Sequence, residues 1–184
     1  RILLGEDRSK PVDHLVLSAD RVDNGPDMVR TITDGRYIYS RNFKPFMPEI
    51  RYIRYFEIGK ITQHMRNDLE NNVLNPLQER IFEERSAEFL FDIENDVWET
   101  RNLAGDPEYK DILDRMRKKL DKELLEARDV HFLPEYEIGQ LSKTGNAYEY
   151  RLEDENYPFE DIYAAASLSG KRGAKTARKQ IDFL

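Results

Sequence analysis

The order of residues predicts an α+β fold, and three observations carry that prediction. Strand-like alternation fills residues 14–43 and returns at 87–93. A long amphipathic stripe follows from residue 106. Between and after these, proline and polar turn formers break the chain into short pieces rather than βαβ repeats.

Residues 1–12 are polar and read as a connecting arm. "HLVLSA" (14–19) reads as a short buried strand, and "ADRVDN" (19–24) as the loop that leaves it. "DMVRTITD" (27–34) alternates apolar and polar positions, and "RYIYSRNF" (36–43) supplies aromatic and β-branched residues suited to a pleated surface. The intervening Asp34-Gly35 is a hairpin signal, since a type I′ turn needs positive φ at both central residues. The expectation for 14–43 is therefore strand, loop, hairpin.

"KPFMPEIRYIRYF" (44–56) carries Pro45 and Pro48, which suit neither a helix interior nor a central strand, and reads as an ordered excursion. Ile58, Ile61, Met65 and Leu69 mark a helical face over 57–71, and a second helix is expected to begin near Pro76. "AEFLFDI" (87–93) is a strand. Asp106 then serves as N-cap, Pro107 suits the first helical position, and Glu108 complements the dipole. Ile112, Leu113, Met116, Leu120, Leu124 and Leu125 form the stripe of the longest helix, and Pro134 stops the chain beyond it.

From 136 to 156 the polar, turn-rich sequence reads as a linker. Residues 157–184 read as two short helices around "SGKRG", with too little apolar surface to offset their own ordering. They are expected to swap onto another copy or to leave an apolar face exposed.

Composition narrows the chemistry. Of the 184 residues 39% are hydrophobic and 35% charged, and the formal net charge is −7. That balance disfavours broad binding to a phosphate backbone, so no nucleic-acid partner is expected. No apolar run approaches the roughly 18–20 residues of a membrane span, and no membrane partner is expected either. The absence of cysteine removes disulfides, thiolate nucleophiles and Cys-based zinc sites from this chain.

Several constellations invite a chemical reading. Asp92, Glu94 and Asp96 alternate like the first ligands of a calcium loop. Counting from Asp92, however, the positions needing glycine and a bidentate glutamate are Val97 and Leu103. The stretch is better read as a strand, with Phe89 and Phe91 on one face, followed by an acidic turn that Trp98 and Leu103 pin to the core. His14, His64 and His131 lack any paired ligand spacing, and no metal site is assigned. Arg21, Asp23 and Asn24 could hydrogen-bond an anionic or hydroxyl-rich ligand, or form a self-satisfied turn. "RYIRYF" (51–56) interleaves arginine with aromatics. It suits stacking on bases or sugars, or a loop with its rings folded inward.

The sequence of parts carries more than any one part. "RVDNGPDMVRTITDGRYIYSRNFKPFMP", then "FEERSAEFLFDIENDVWETRNLAGDPEYKDILDRMRKKLDKEL", resembles the C-terminal region of formylglycine-dependent (type I) sulfatases over about residues 14–135. Within that family it looks most like the bacterial branch related to heparan N-sulfatase. The resemblance implies a small antiparallel sheet of about four strands with the long helix packed on it. It also implies an N-terminal catalytic domain as the partner, where a Cys or Ser in Cys/Ser-x-Pro-x-Arg becomes formylglycine and acidic residues hold calcium. This chain contains neither a cysteine nor that motif, so no catalytic residue is carried over, and the chain alone is expected to be inactive.

What the resemblance allows here is substrate shaping. Arg21, Asp23, Asn24, Arg51 and Tyr52 are the candidates to contact a sulfated sugar. It divides the chain into a sulfatase C-terminal subdomain (1–135), the linker (136–156) and a helical extension (157–184) resembling the start of HEAT-like repeats. It further implies a periplasmic or exported protein, with self-association through the C-terminal helices. The alternative is a free-standing carbohydrate-binding or interaction module of the same fold.

Overall fold

The computed structural model describes residues 13–168. The predicted arm at 1–12 and the second short helix after "SGKRG" lie outside the described residues. Four antiparallel strands, β1 (Leu15–Val22), β2 (Gly25–Thr33), β3 (Tyr37–Asn42) and β4 (Glu88–Asp92), form one sheet in chain order. The α+β expectation holds, with a long helix packed on a small antiparallel sheet.

Register fixes the two faces. Val16, Ile32, Tyr39 and Leu90 stand opposite one another across the strands, and so do Leu17, Thr31, Ser40 and Phe89 on the other alternation. The first row faces the long helix, and the second is left open. Thr31 and Ser40 hydroxyls bond across the open row at 2.7 Å. Phe89 and Phe91 stack there with centroids 5.8 Å apart, as their spacing predicts.

Between β3 and β4 the chain makes its excursion through α1 (Arg54–Glu57), α2 (Lys60–Glu70) and α3 (Pro76–Glu79). The helix expected at 57–71 forms as α2, but none of its apolar positions is fully buried: Met65 and Leu69 are half-buried and Ile61 is 79% exposed. Asn75 caps α3 in a full capping box with Gln78. The Asp106 cap and Pro107 start a 3-10 turn that runs directly into α4 (Lys110–Ala127). Leu113, Met116, Leu120 and Leu124 of the predicted stripe are its buried residues.

Several expectations need correction. "HLVLSA" forms a strand, but as β1 it is an edge strand with Leu15, Leu17 and Val22 exposed, because among the described residues no strand pairs with its outer side. The strand also runs on through Val22, so the expected loop contracts to a two-residue turn at Asp23-Asn24. At Asp34-Gly35 only Gly35 has positive φ, so the turn is not type I′; Asp34 Oδ1 instead accepts from the amides of Arg36 and Tyr37. Leu103 does anchor the acidic turn. Trp98 does not, being 84% exposed.

The C-terminal third differs most. Where the sequence reads as linker, the chain forms α5 (Glu135–Thr144) and α6 (Ala147–Tyr150). α7 (Phe159–Ala166) does not leave its aromatic face exposed. Tyr157, Phe159 and Tyr163 are buried in the same core as Ile32, Tyr39 and Leu120. Phe132 meets the rings of Phe43, Phe159 and Tyr163 at 4.9, 5.3 and 5.6 Å. Arg128, in the left-handed conformation at the end of α4, donates to the carbonyls of Arg151 and Tyr157 and pairs with Asp154. The apolar area missing from the tail itself is thus supplied by its aromatic partners upstream.

The two sheet edges are also unlike. Along the outside of β4, Asn102 Oδ1 accepts from the Leu90 amide (3.0 Å), its Nδ2 donates to the Glu88 carbonyl (3.0 Å), and the Leu103 amide donates to the Leu90 carbonyl (2.8 Å). Among the described residues, β1 has a strand partner on one side only.

Candidate functional site

The β1–β2 turn and the excursion meet at one end of the sheet. Val22 pairs with Gly25, leaving Asp23 (φ 50°) and Asn24 at the tip. Gly25 is needed for close approach, since a Cβ there would lie 2.5 Å from Ile53 Cγ1. Asn24 Oδ1 accepts from the Arg54 amide at 3.0 Å, tying the tip to the excursion. Two segments that sequence reasoning named separately, 21–24 and 51–54, are therefore neighbours.

The five candidate residues do different things within that neighbourhood. Arg21 donates to the Asp23 carbonyl at 3.0 Å and pairs with the exposed Glu135 carboxylate. It lines a cavity of about 610 Å³ together with Asp20, Asp27, Lys44, His131 and Glu135. Asp23 and Asn24 form the turn and do not line that cavity. Arg51 is buried, lies 3.4 Å from Asp27, and leaves its Nε without a partner. Tyr52 is exposed, as are Tyr55 and Phe56, so the rings of "RYIRYF" are not folded inward; Ile53 is the residue buried instead.

Sequence reasoning missed the group that organises the site. Arg85 reaches Asp27 with both nitrogens of its fork (2.7 and 3.1 Å) and donates to the Met47 and Lys44 carbonyls. It thereby fastens the start of the excursion to β2. Burial raises the Asp27 carboxyl, but the Arg85 bonds, the Met28 amide and the nearby guanidinium charges outweigh it and hold the group below its usual range. Asp27 does sit on the open-face alternation of β2, which was a readable hint. Arg85, 58 positions away, carried no local signal.

Chemically, the arrangement is suited to binding rather than to proton transfer. A guanidinium whose partner is an exposed, displaceable carboxylate can take an anionic or hydroxyl-bearing ligand instead. The carboxylates with shifted pKa values are pushed down by arginine and lysine partners or hydrogen bonds, and the shifted tyrosines are pushed up by burial. Neither direction brings a group toward neutrality, where a general acid or base works best. Among the described residues no group of three His, Asp or Glu side chains is placed to hold a metal ion. Asp92 instead grips Arg36 and Asn95, and Asp96 accepts from Thr100 and the Arg101 amide. No helix among the described residues is long and apolar enough to cross a membrane.

No family model matches the chain. Among curated proteins it is similar to an "Ulvan-active sulfatase" of Formosa agariphila, with 34% identity over 136 residues. That stretch is 73% of this chain and 23% of the relative, so the chain spans less than a quarter of the length of the curated protein it matches. The similarity supports a sulfatase relationship.

Proposed function

We propose that this chain is the C-terminal subdomain of a formylglycine-dependent sulfatase acting on sulfated carbohydrate, in the bacterial branch related to heparan N-sulfatase. The observation that carries the reading is the 136-residue similarity to a sulfatase, together with its small share of that relative. On this reading the nucleophile and calcium belong to a catalytic domain outside the chain, which itself offers no cysteine for conversion. The chain's own part is to shape the sugar pocket, and Arg21 is the residue placed for it. It lines the cavity beside the β1–β2 turn and can exchange Glu135 for a sulfate or hydroxyl of the substrate. The Asp23 carbonyl holds Arg21 and Asn24 ties the turn to Arg54, while Asp27 and Arg85 fix the excursion that bears Arg51 and Tyr52.

Arg21→Ala in the full-length parent enzyme tests this. Loss of one charge-assisted hydrogen bond is expected to lower kcat/KM on a sulfated oligosaccharide by roughly 10- to 100-fold. Unchanged kcat/KM on every sulfated substrate would sink the assignment. A Cys/Ser-x-Pro-x-Arg motif upstream of Arg1 separates this reading from a free-standing carbohydrate-binding module, which would lack it.

A further inference from the structure

A second concavity lies toward the opposite edge of the sheet, between the segment 77–86, β4 and the loop 98–102. It measures about 580 Å³ and is lined by Glu49, Arg80, Phe89, Trp98, Glu99 and Asn102, among others. Trp98 is the chain's sole tryptophan and its most exposed large hydrophobic residue among those described. It has no packing task, because Leu103 anchors the loop. With Leu77, Ile81 and Phe89 in the same lining it forms an apolar patch open to solvent, the kind of surface that marks a contact site. The next residue, Glu99, sits at φ 53°, a conformation glutamate rarely adopts, and also lines the cleft.

We propose that this cleft binds a neutral, unsulfated sugar unit of a polysaccharide, with the Trp98 indole as its stacking platform. The indole offers a flat apolar face to the axial C–H bonds of a pyranose. Around it stand Glu49 and Glu99 carboxylates, the Arg80 guanidinium and the Asn102 amide, a mixture of donors and acceptors that matches hydroxyls, which both give and accept hydrogen bonds. Charge selects against sulfate. Glu49, Glu83 and Glu99 line the cleft against Arg80 and Arg85, and Arg85 is committed to Asp27 and Glu49. An added anion meets net repulsion there. The inference rests on the proposed reading only in taking carbohydrate as the ligand class. It assigns the sulfate-bearing unit to the Arg21 cavity and a sulfate-free neighbour to Trp98.

The 184-residue chain tests it directly, because all tryptophan emission comes from Trp98. Chemically desulfated ulvan oligosaccharides are expected to shift that emission saturably and to shield it from iodide quenching. By calorimetry, Trp98→Ala should weaken binding about tenfold and Trp98→Tyr much less, with far-UV circular dichroism unchanged in both. In an Arg21→Ala background, which removes the proposed sulfate site, Trp98 emission should report weaker binding of sulfated ulvan oligosaccharides, with the gap narrowing as salt rises. No saturable shift with the desulfated probe overturns the proposal, as does equal binding of the sulfated one. A response to oligolysine in place of the sugar reassigns the cleft to a basic protein segment and also overturns it. Hydrolysis is not read in this experiment, so it can fail while Arg21→Ala still impairs the parent enzyme, or succeed while that substitution is silent.

Discussion

On the face under α4 the sheet presents Ile32, Tyr39 and Leu90, none measurably exposed, and the tail adds Tyr157, Phe159 and Tyr163 to the same cluster. On the opposite face Phe89 is only half-buried. The buried contacts that hold the excursion there include ionic ones, with Asp27 between Arg85 and Arg51, beside the buried Ile53 at Gly25. One face is closed mainly by apolar area, and the other is fastened by a few charged bonds beside the Trp98 cleft. The Arg21 cavity lies at the end of the sheet between them, where Met28, Phe132 and Leu133 of the core side meet Asp27. Ionic fastening makes the surrounding loops depend on single side chains.

The sharpest way to break this contrast is at the closed face. Phe159→Ala removes a ring that meets Phe132, Tyr157 and Tyr163, and is expected to cost about 3–5 kcal/mol in urea unfolding. Phe89→Ala on the open face should cost below about 2 kcal/mol. Equal losses would erase the distinction.

The ionic side is probed by Asp27→Ala, which strands two buried guanidinium groups and should destabilise by about 3 kcal/mol. Its particular signature is faster proteolysis within residues 44–56, which Arg85 fastens; unaltered cleavage there would contradict that role.

The smallest expected effect is a pH dependence. Bonds from Arg36 hold the Asp92 carboxyl down at about 2, below its unfolded range near about 4. The stabilisation from this pair is therefore complete above pH about 4 and is lost as pH falls toward about 2. Asp92→Asn should flatten that part of the curve, measured as urea midpoints between pH 2 and 6.

Legibility in the sequence followed the range of the cause. The Asp106 cap, the α4 stripe and the Phe89/Phe91 pairing are set by neighbours within a few residues, and each was readable. The burial of β1 was misread because exposure depends on what lies beside an edge strand, not on its own composition. Of the two anchors expected for the acidic turn, Leu103 is buried and Trp98 is not. The tail was misjudged for the same reason as Arg85. Phe43 and Phe132, which complete its aromatic cluster, stand far upstream, so the tail's own stripe looked too thin. At the candidate site, Arg21 and its turn were visible as a polar group after a strand. The carboxylate across from it, Glu135, and the Asp27–Arg85 fastening were not, since both are long-range pairings.

Asn102 and Leu103 occupy the outward hydrogen-bonding groups of β4 at Glu88 and Leu90, and this gives the sheet a direction of growth. Among the described residues, the ladder that a further strand could join lies beside Leu15–Val22. The same eight residues are where misassembly by edge pairing would start, with Leu15, Leu17 and Val22 already in water. A lysine at Leu17 is thus the first change to make for a more soluble form of the chain.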